Sequence, residues 1–191
     1  MNLAVLLSGS GRTLDNFHQR IAAGSMTGRI TAVISNQADA LGLEKARGYG
    51  YPAFHAADNP AINAIIQQHP VDLVLLAGFL KLYVPPPGLQ KAVLNIHPAL
   101  IPAFSGAGMY GMRVHRAAYA RGVRVSGCTV HFANEAYDEG PIVVQKCVSL
   151  AADDGPEEIA ARVFAAECEA YPEAVNLVAA RGIDYFWQQR R

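Results

Sequence analysis

The segment LAVLLSGSGRTLDNFHQRIAAG, Leu3 to Gly24, decides the fold. Leu3 to Leu7 is an uninterrupted apolar run closed by Ser-Gly-Ser-Gly, after which Leu14, Phe17 and Ile21 recur at helical spacing before Gly24. Strand, glycine turn and amphipathic helix follow one another. A strand with no polar face must be covered on both sides, which is the situation of a strand inside a parallel sheet.

The same alternation continues outward. RITAVISN (29–36) reads as a strand, ALGLEKARGYG (40–50) as a short helix, AINAIIQQH (61–69) as a helix, VDLVLLAGF (71–79) as a second buried strand and KAVLNIH (91–97) as a fourth. A glycine-rich loop then leads into a helix ending at RG (121–122). VSGCTVHFA (125–133) and GPIVVQKCVSL (140–150) are two strands joined by the short NEAYDE, a hairpin that adds an antiparallel portion to the parallel sheet. GPEEIAARVFAAECEAYPEAVNLVAARG (155–182) is a helix, expected to bend or split at Pro172 and to end at Gly182.

With 191 residues the chain suits one domain, 1–191. Half the residues are apolar (51%) and the net charge is zero, which argues against a disordered polyelectrolyte or a general nucleic-acid binder and for small-molecule substrates. Cys128, Cys147 and Cys168 are odd in number and form no C-x-x-C, so they read as reduced thiols. The opening residues lack the basic flank and cleavage pattern of a signal peptide, and no stretch approaches a membrane span. A cytoplasmic protein without nucleic-acid or membrane partners is expected.

Three places carry chemistry. In LNIHPALIP (94–102), Asn95 and His97 stand two apart on an extended segment and so share a face, at the carboxyl end of a strand where open α/β sheets bind ligands. A pair of hydrogen-bonded polar groups capping the strand would give the same pattern. SGSGRT (8–13) leaves backbone N–H groups at a helix N-terminus, with Arg12 adding positive charge, and suits a phosphate; a tight turn needing glycine only for its backbone angles suits it equally. Leu14 replaces the third glycine of a dinucleotide fingerprint, and the next strand ends in Ser35-Asn36 without an acid for a ribose. Asp138 in YDEGP is a turn residue or a functional carboxylate. The remaining histidines show no metal-ligand spacing, so no metal is expected.

AVLLSGSGRTLDNF (4–17), AVISN with ALGLEKAR (32–47), VDLVLLAGFLK (71–81), LNIHPALIP and GCTVHFANEAYDEGPIVVQ (127–145) together resemble the folate-dependent formyltransferases, from near the first residue to about Tyr171. The glycine loop and the SN…ALGLEKA segment pull the resemblance toward the glycinamide-ribotide branch of purine biosynthesis. It implies a Rossmann-like α/β fold, an open and mostly parallel sheet with helices on both faces, in which 1–92 is the phosphate-substrate half and 93–191 the catalytic and folate-binding half. It implies transfer of the formyl group of 10-formyltetrahydrofolate, the co-substrate, to the amino group of glycinamide ribonucleotide, without a metal; a homodimer is compatible with it. Asn95, His97 and Asp138 correspond to the family's catalytic trio. Gly11, Arg12 and Thr13 correspond to its phosphate loop, Glu167 to an acid near the glycinamide end, and Leu80, Lys81, Leu82 and Tyr83 with Asn134, Glu135, Ala136 and Tyr137 to its pteridine cradle.

The chain also departs from that pattern. Arg12 and Thr13 stand where the family usually has Ser-Asn, the segment 55–64 lacks an arginine found in some members, and AFSGAGMYGMRVHRAA (103–118) replaces a shorter loop. Gly106, Gly108 and Gly111 make that loop permissive, and Phe104, Met109 and Tyr110 give it apolar surface, as in a mobile lid or a static insertion. A formyltransferase for another amine, such as an amino sugar nucleotide, a 10-formyltetrahydrofolate hydrolase and a non-catalytic phosphosugar-binding module remain alternatives.

Overall fold

The computed structural model describes residues 1–189; Arg190 and Arg191, which the expected domain 1–191 includes, lie outside the described residues. Seven strands form one sheet in the order β3-β2-β1-β4-β5-β6-β7. The pairs β1/β2, β2/β3, β1/β4 and β4/β5 are parallel, and β6/β7 is antiparallel. This is the open, mostly parallel sheet with an antiparallel C-terminal portion. The chain divides into two compact units, Met1–Asn95 and the residues from Ile96 onward.

The first unit holds β1 (Asn2–Leu7), α1 (Arg12–Ala22), β2 (Arg29–Ser35), α2 (Leu41–Gly48), β3 (Ala53–His55), α3 (Asn59–Gln67) and β4 (Leu73–Leu76). Leu3 to Leu7 are wholly buried, as a strand paired on both edges and covered on both faces must be. On α1, Leu14 and Phe17 are wholly buried, and each such side chain contributes roughly 1.5–3 kcal/mol relative to exposure. The turn between β1 and α1 depends on glycine at one place above all. Gly11 has φ of 72°, and a Cβ there would lie 2.7 Å from the Cα of Gly42, whose own N–H donates to the Gly9 carbonyl at 3.0 Å. The start of α2 is thereby seated on the turn.

β5 (Val93–His97) spans the boundary between the units, with Asn95 opposite Leu76 on β4. The second unit continues with α4 (Met112–Arg121), β6 (Val125–Phe132), β7 (Ile142–Ser149), α5 (Pro156–Arg181) and α6 (Ile183–Gln188). The hairpin has a register irregularity between Val130 and His131. Of the expected bend or split at Pro172, the split does not occur: α5 runs as one helix through it. Proline removes one intrahelical bond, but Ile159 and Val163 before it and Ala174, Val175 and Val178 after it are buried along the same helix. Burial on both sides favours continuing the helix past the proline. Gly182 ends this helix as expected, and α6 follows immediately.

Candidate active site

β5 ends in the alternation Asn95, Ile96, His97, so Asn95 and His97 leave the strand on one face. Asn95 is half-buried and His97 is 3% exposed. His97 Nε2 lies 2.8 Å from the Phe104 carbonyl oxygen, and because a carbonyl only accepts, Nε2 carries the proton. Nδ1 lies 3.4 Å from Asp138 Oδ2. Burial lowers the pKa of His97, and Asp138 and the Phe104 carbonyl only partly offset it. His97 therefore rests neutral at neutral pH, with Nδ1 the nitrogen open to a proton.

Asp138 sits in the β6–β7 connection with a left-handed φ of 60°, and its side chain is nearly enclosed. Oδ2 also accepts from the Gly106 N–H at 2.8 Å, while Oδ1 faces His131 Nε2 at 3.5 Å. Burial alone would raise the carboxyl pKa. The hydrogen bonds from His131 and Gly106 and the electrostatic coupling to the two imidazoles outweigh it and hold Asp138 below its ordinary value, as a carboxylate. His115 of α4, 6% exposed, is lowered by burial and then by the charge of His97, and its Nδ1 has no hydrogen-bond partner.

His131, His115, the Phe104 carbonyl and the Gly106 N–H thus join His97 and Asp138, and sequence reasoning had assigned none of them a role. Glu167 is half-buried on α5, where its charge, after burial, helps push the Cys128 thiol on β6 up to about 12. In the connection before Asp138, the Asn134 side chain accepts from the Ala136 N–H at 3.1 Å, and Glu135 and Tyr137 are exposed.

In the first unit, Arg12 is exposed at the first position of α1, directly after left-handed Gly11, and Thr13 is half-buried. Asp15, one turn on, binds Lys45 Nζ at 2.6 Å and accepts from the Tyr49 hydroxyl at 2.9 Å. The 80–83 segment is tied down by its backbone. Leu80 N–H donates to Ser8 Oγ at 3.0 Å, and the Leu82 and Val84 carbonyls accept from Asn59 and Asn63 at 3.2 and 3.0 Å. Leu80 and Leu82 are left exposed, Lys81 reaches the Ala57 carbonyl, and Tyr83 turns inward, its hydroxyl donating to Asn63 Oδ1 at 2.9 Å. Among the described residues, no group of three or more His, Cys, Asp or Glu side chains is arranged to hold a metal ion, and no helix is long and apolar enough to cross a membrane.

Residues 1–175, which hold the parallel strands, the strand-end histidine and the turn aspartate, match the formyl transferase family model: the chain belongs to that family. Its relatives are more particular. It is 41% identical to a chloroplastic phosphoribosylglycinamide formyltransferase of Arabidopsis thaliana, over 92% of this chain and 64% of that protein. It is 35% identical to the phosphoribosylglycinamide formyltransferase of Escherichia coli K12, over 92% of this chain and 86% of that one. The crystal structure of glycinamide ribonucleotide transformylase 1 from Symbiobacterium toebii superposes with a TM-score of 0.83 at 40% identity, covering 94% of this chain and 88% of that one. The chain spans less than two thirds of the length of the plant relatives.

Proposed function

We propose that this protein transfers the formyl group of 10-formyltetrahydrofolate to the amino group of glycinamide ribonucleotide, in the cytosol and without a metal. The observation that carries the reading is the His97–Asp138 pair: a neutral imidazole with one nitrogen committed to Phe104 and the other facing a buried carboxylate. Such a pair takes up a proton readily only when one is delivered, because Asp138 stabilises the imidazolium that burial disfavours.

The acceptor's primary amine attacks the formyl carbon, and the carbonyl electron pair moves onto oxygen. The Asn95 amide donates to this oxyanion. The proton lost by the amine passes to His97 Nδ1 and from there to the folate nitrogen as the carbon–nitrogen bond breaks, so no net proton is consumed. Gly11, Arg12 and Thr13 hold the acceptor phosphate through backbone N–H groups and a guanidinium. Glu167 receives the glycinamide end. Leu80 and Leu82, exposed apolar side chains on an anchored backbone, with Lys81, Tyr83 and the 134–137 segment, receive the pteridine. The first unit then serves mainly the phosphate and the second mainly the chemistry.

The test is to mix the protein with 10-formyltetrahydrofolate and follow deformylation with glycinamide ribonucleotide, with an amino sugar nucleotide and with no acceptor. Formylation of the ribonucleotide alone is expected. Preference for the amino sugar nucleotide, equal formate release without acceptor, or no turnover would each replace this reading with another.

A further inference from the structure

The geometry points to His131 as the residue that positions Asp138, a role that rests on the reading above but is measurable apart from it. Asp138 has two carboxylate oxygens and three neighbours. Oδ2 is shared between the Gly106 N–H at 2.8 Å and His97 Nδ1 at 3.4 Å, while Oδ1 faces His131 Nε2 at 3.5 Å. The carboxylate is therefore gripped at both ends, and rotation that would carry Oδ2 away from His97 also takes Oδ1 off His131. Without His131, the carboxylate would be held only through Oδ2, by the Gly106 N–H and the longer contact to His97.

His131 is itself set in place. It is 1% exposed on β6, at the register irregularity of the hairpin, where it stands opposite Ile142, and such irregularities re-aim side chains. Its Nδ1 lies 3.0 Å from the Phe132 carbonyl oxygen and its Nε2 faces Asp138, so the strand orients the ring with an acceptor at each nitrogen, and donation to both at once requires the doubly protonated ring. Asp138 holds a left-handed φ of 60°, a conformation that persists in a residue other than glycine only where its surroundings fix it.

The charged and titratable groups around this array are His97 from β5, Asp138 from the hairpin connection and His115 from α4, with Glu167 of α5 acting on Cys128 of β6. Burial favours the protonated carboxyl of Asp138, and the His131 contact is the foremost influence opposing it. Loss of that contact raises the pH at which Asp138 ionises.

Three substitutions in the full chain separate the possible duties of the ring. Glutamine places a donor where Nε2 stands, asparagine places one where Nδ1 stands, and phenylalanine keeps the shape alone. Carbon-13 carboxyl titration of Asp138 in the free enzyme, which needs no turnover, is read beside kcat and KM for formyl transfer. His131→Phe and His131→Asn are expected to move the Asp138 midpoint to higher pH, to shift the acid limb of kcat with it and to lower kcat about tenfold or more with KM little changed. His131→Gln is expected to keep both near wild type. An unmoved Asp138 midpoint in His131→Phe overturns the proposal, as does rescue by asparagine and not by glutamine, which would assign the ring to the Phe132 carbonyl. If the variants do not fold, nitrogen-15 ring spectra of the wild type decide: Nε2 protonated while Asp138 is ionised supports the role, and a bare Nε2 overturns it. Should glycinamide ribonucleotide prove to be the wrong acceptor, the carboxyl titration still reads the positioning.

Discussion

His97 donates through Nε2 to the Phe104 carbonyl oxygen at 2.8 Å, and this one bond determines which nitrogen does the chemistry. With Nε2 occupied, a proton arriving at the ring must sit on Nδ1, in the 3.4 Å space before Asp138. The carbonyl comes from the start of the loop least like the rest of the family, and Phe104 adopts a left-handed φ of 51° to supply it.

Removing an oxyanion donor costs about a hundredfold to a thousandfold in turnover, so Asn95→Ala should lower kcat on that scale, and His97→Ala, which removes the proton carrier, by about a hundredfold or more, while the fold survives. For Asp138 the informative change is to asparagine, which tolerates the left-handed backbone at this position; alanine would add roughly 1 kcal/mol of backbone strain. Asp138→Asn should fold normally and lose turnover. Near-normal formyl transfer by folded Asn95→Ala would remove that residue from the mechanism.

Acid should destabilise the protein before it protonates the carboxylates. Burial depresses the pKa of both His97 and His115. Below the free imidazole value of about 6.5, the unfolded chain binds protons that the folded chain refuses, so stability is full above that pH and falls as pH drops through the folded values. Asp138, also depressed, adds a further loss at lower pH as it protonates in the folded state. Urea midpoints should hold steady above neutrality and decline in mild acid, with His115→Phe flattening part of the slope. A midpoint indifferent to mild acid would contradict the assigned burial effects.

Arg12 stands at the first position of α1, exposed and next to the left-handed turn. A charge-assisted contact to phosphate is worth roughly 1.5–3 kcal/mol, so Arg12→Ala should weaken acceptor binding about tenfold or more and leave folate binding alone. Calorimetry with each ligand separately checks this. Equal weakening of both, or of neither, would mean that the guanidinium serves only solvent.

The loop from Phe104 to Met112 is tied at its root, through the Phe104 carbonyl and the Gly106 N–H, and open at its tip. Gly106, Gly108 and Gly111 all have positive φ, no atom lies within 4 Å of where their Cβ would be, and Tyr110 is exposed beneath Arg113. If the tip excludes water from the formyl donor, deleting residues 107–110 while keeping the root should raise formate released per formyl group transferred. An unchanged ratio would make the tip a static insertion.

Much of this architecture is legible in the chain, and the exceptions are physical. The β1 run, the glycine turn and the Leu14–Phe17 stripe read directly because burial and periodicity coincide there. β3, Ala53–His55, escapes because three partly buried residues carry no periodicity. The run 71–79 promises a longer strand than Leu73–Leu76, but left-handed Gly78 turns the chain soon after it. α6 follows Gly182 with only six residues, too few for a repeating stripe. In the site, Asn95 and His97 stand out by type and position, and Asp138 only through the family resemblance. The Phe104 carbonyl and Gly106 N–H do not, since every residue has such groups and only the folded loop aims them, and His131 reads from the chain as one more inward strand residue.

The near-contact of Gly11 and Gly42 limits how this turn can diversify. A methyl group at Gly11 collides with the neighbouring helix, and one at Gly42 collides with Leu7 at 2.7 Å, so neither position accepts even the smallest replacement without shifting its partner. Descendants of this sequence, natural or from a mutant library, must keep the peptide outline of the turn and explore new acceptors through side chains at 12 and 13. Arg12 and Thr13 occupy the two positions where the turn leaves variation open.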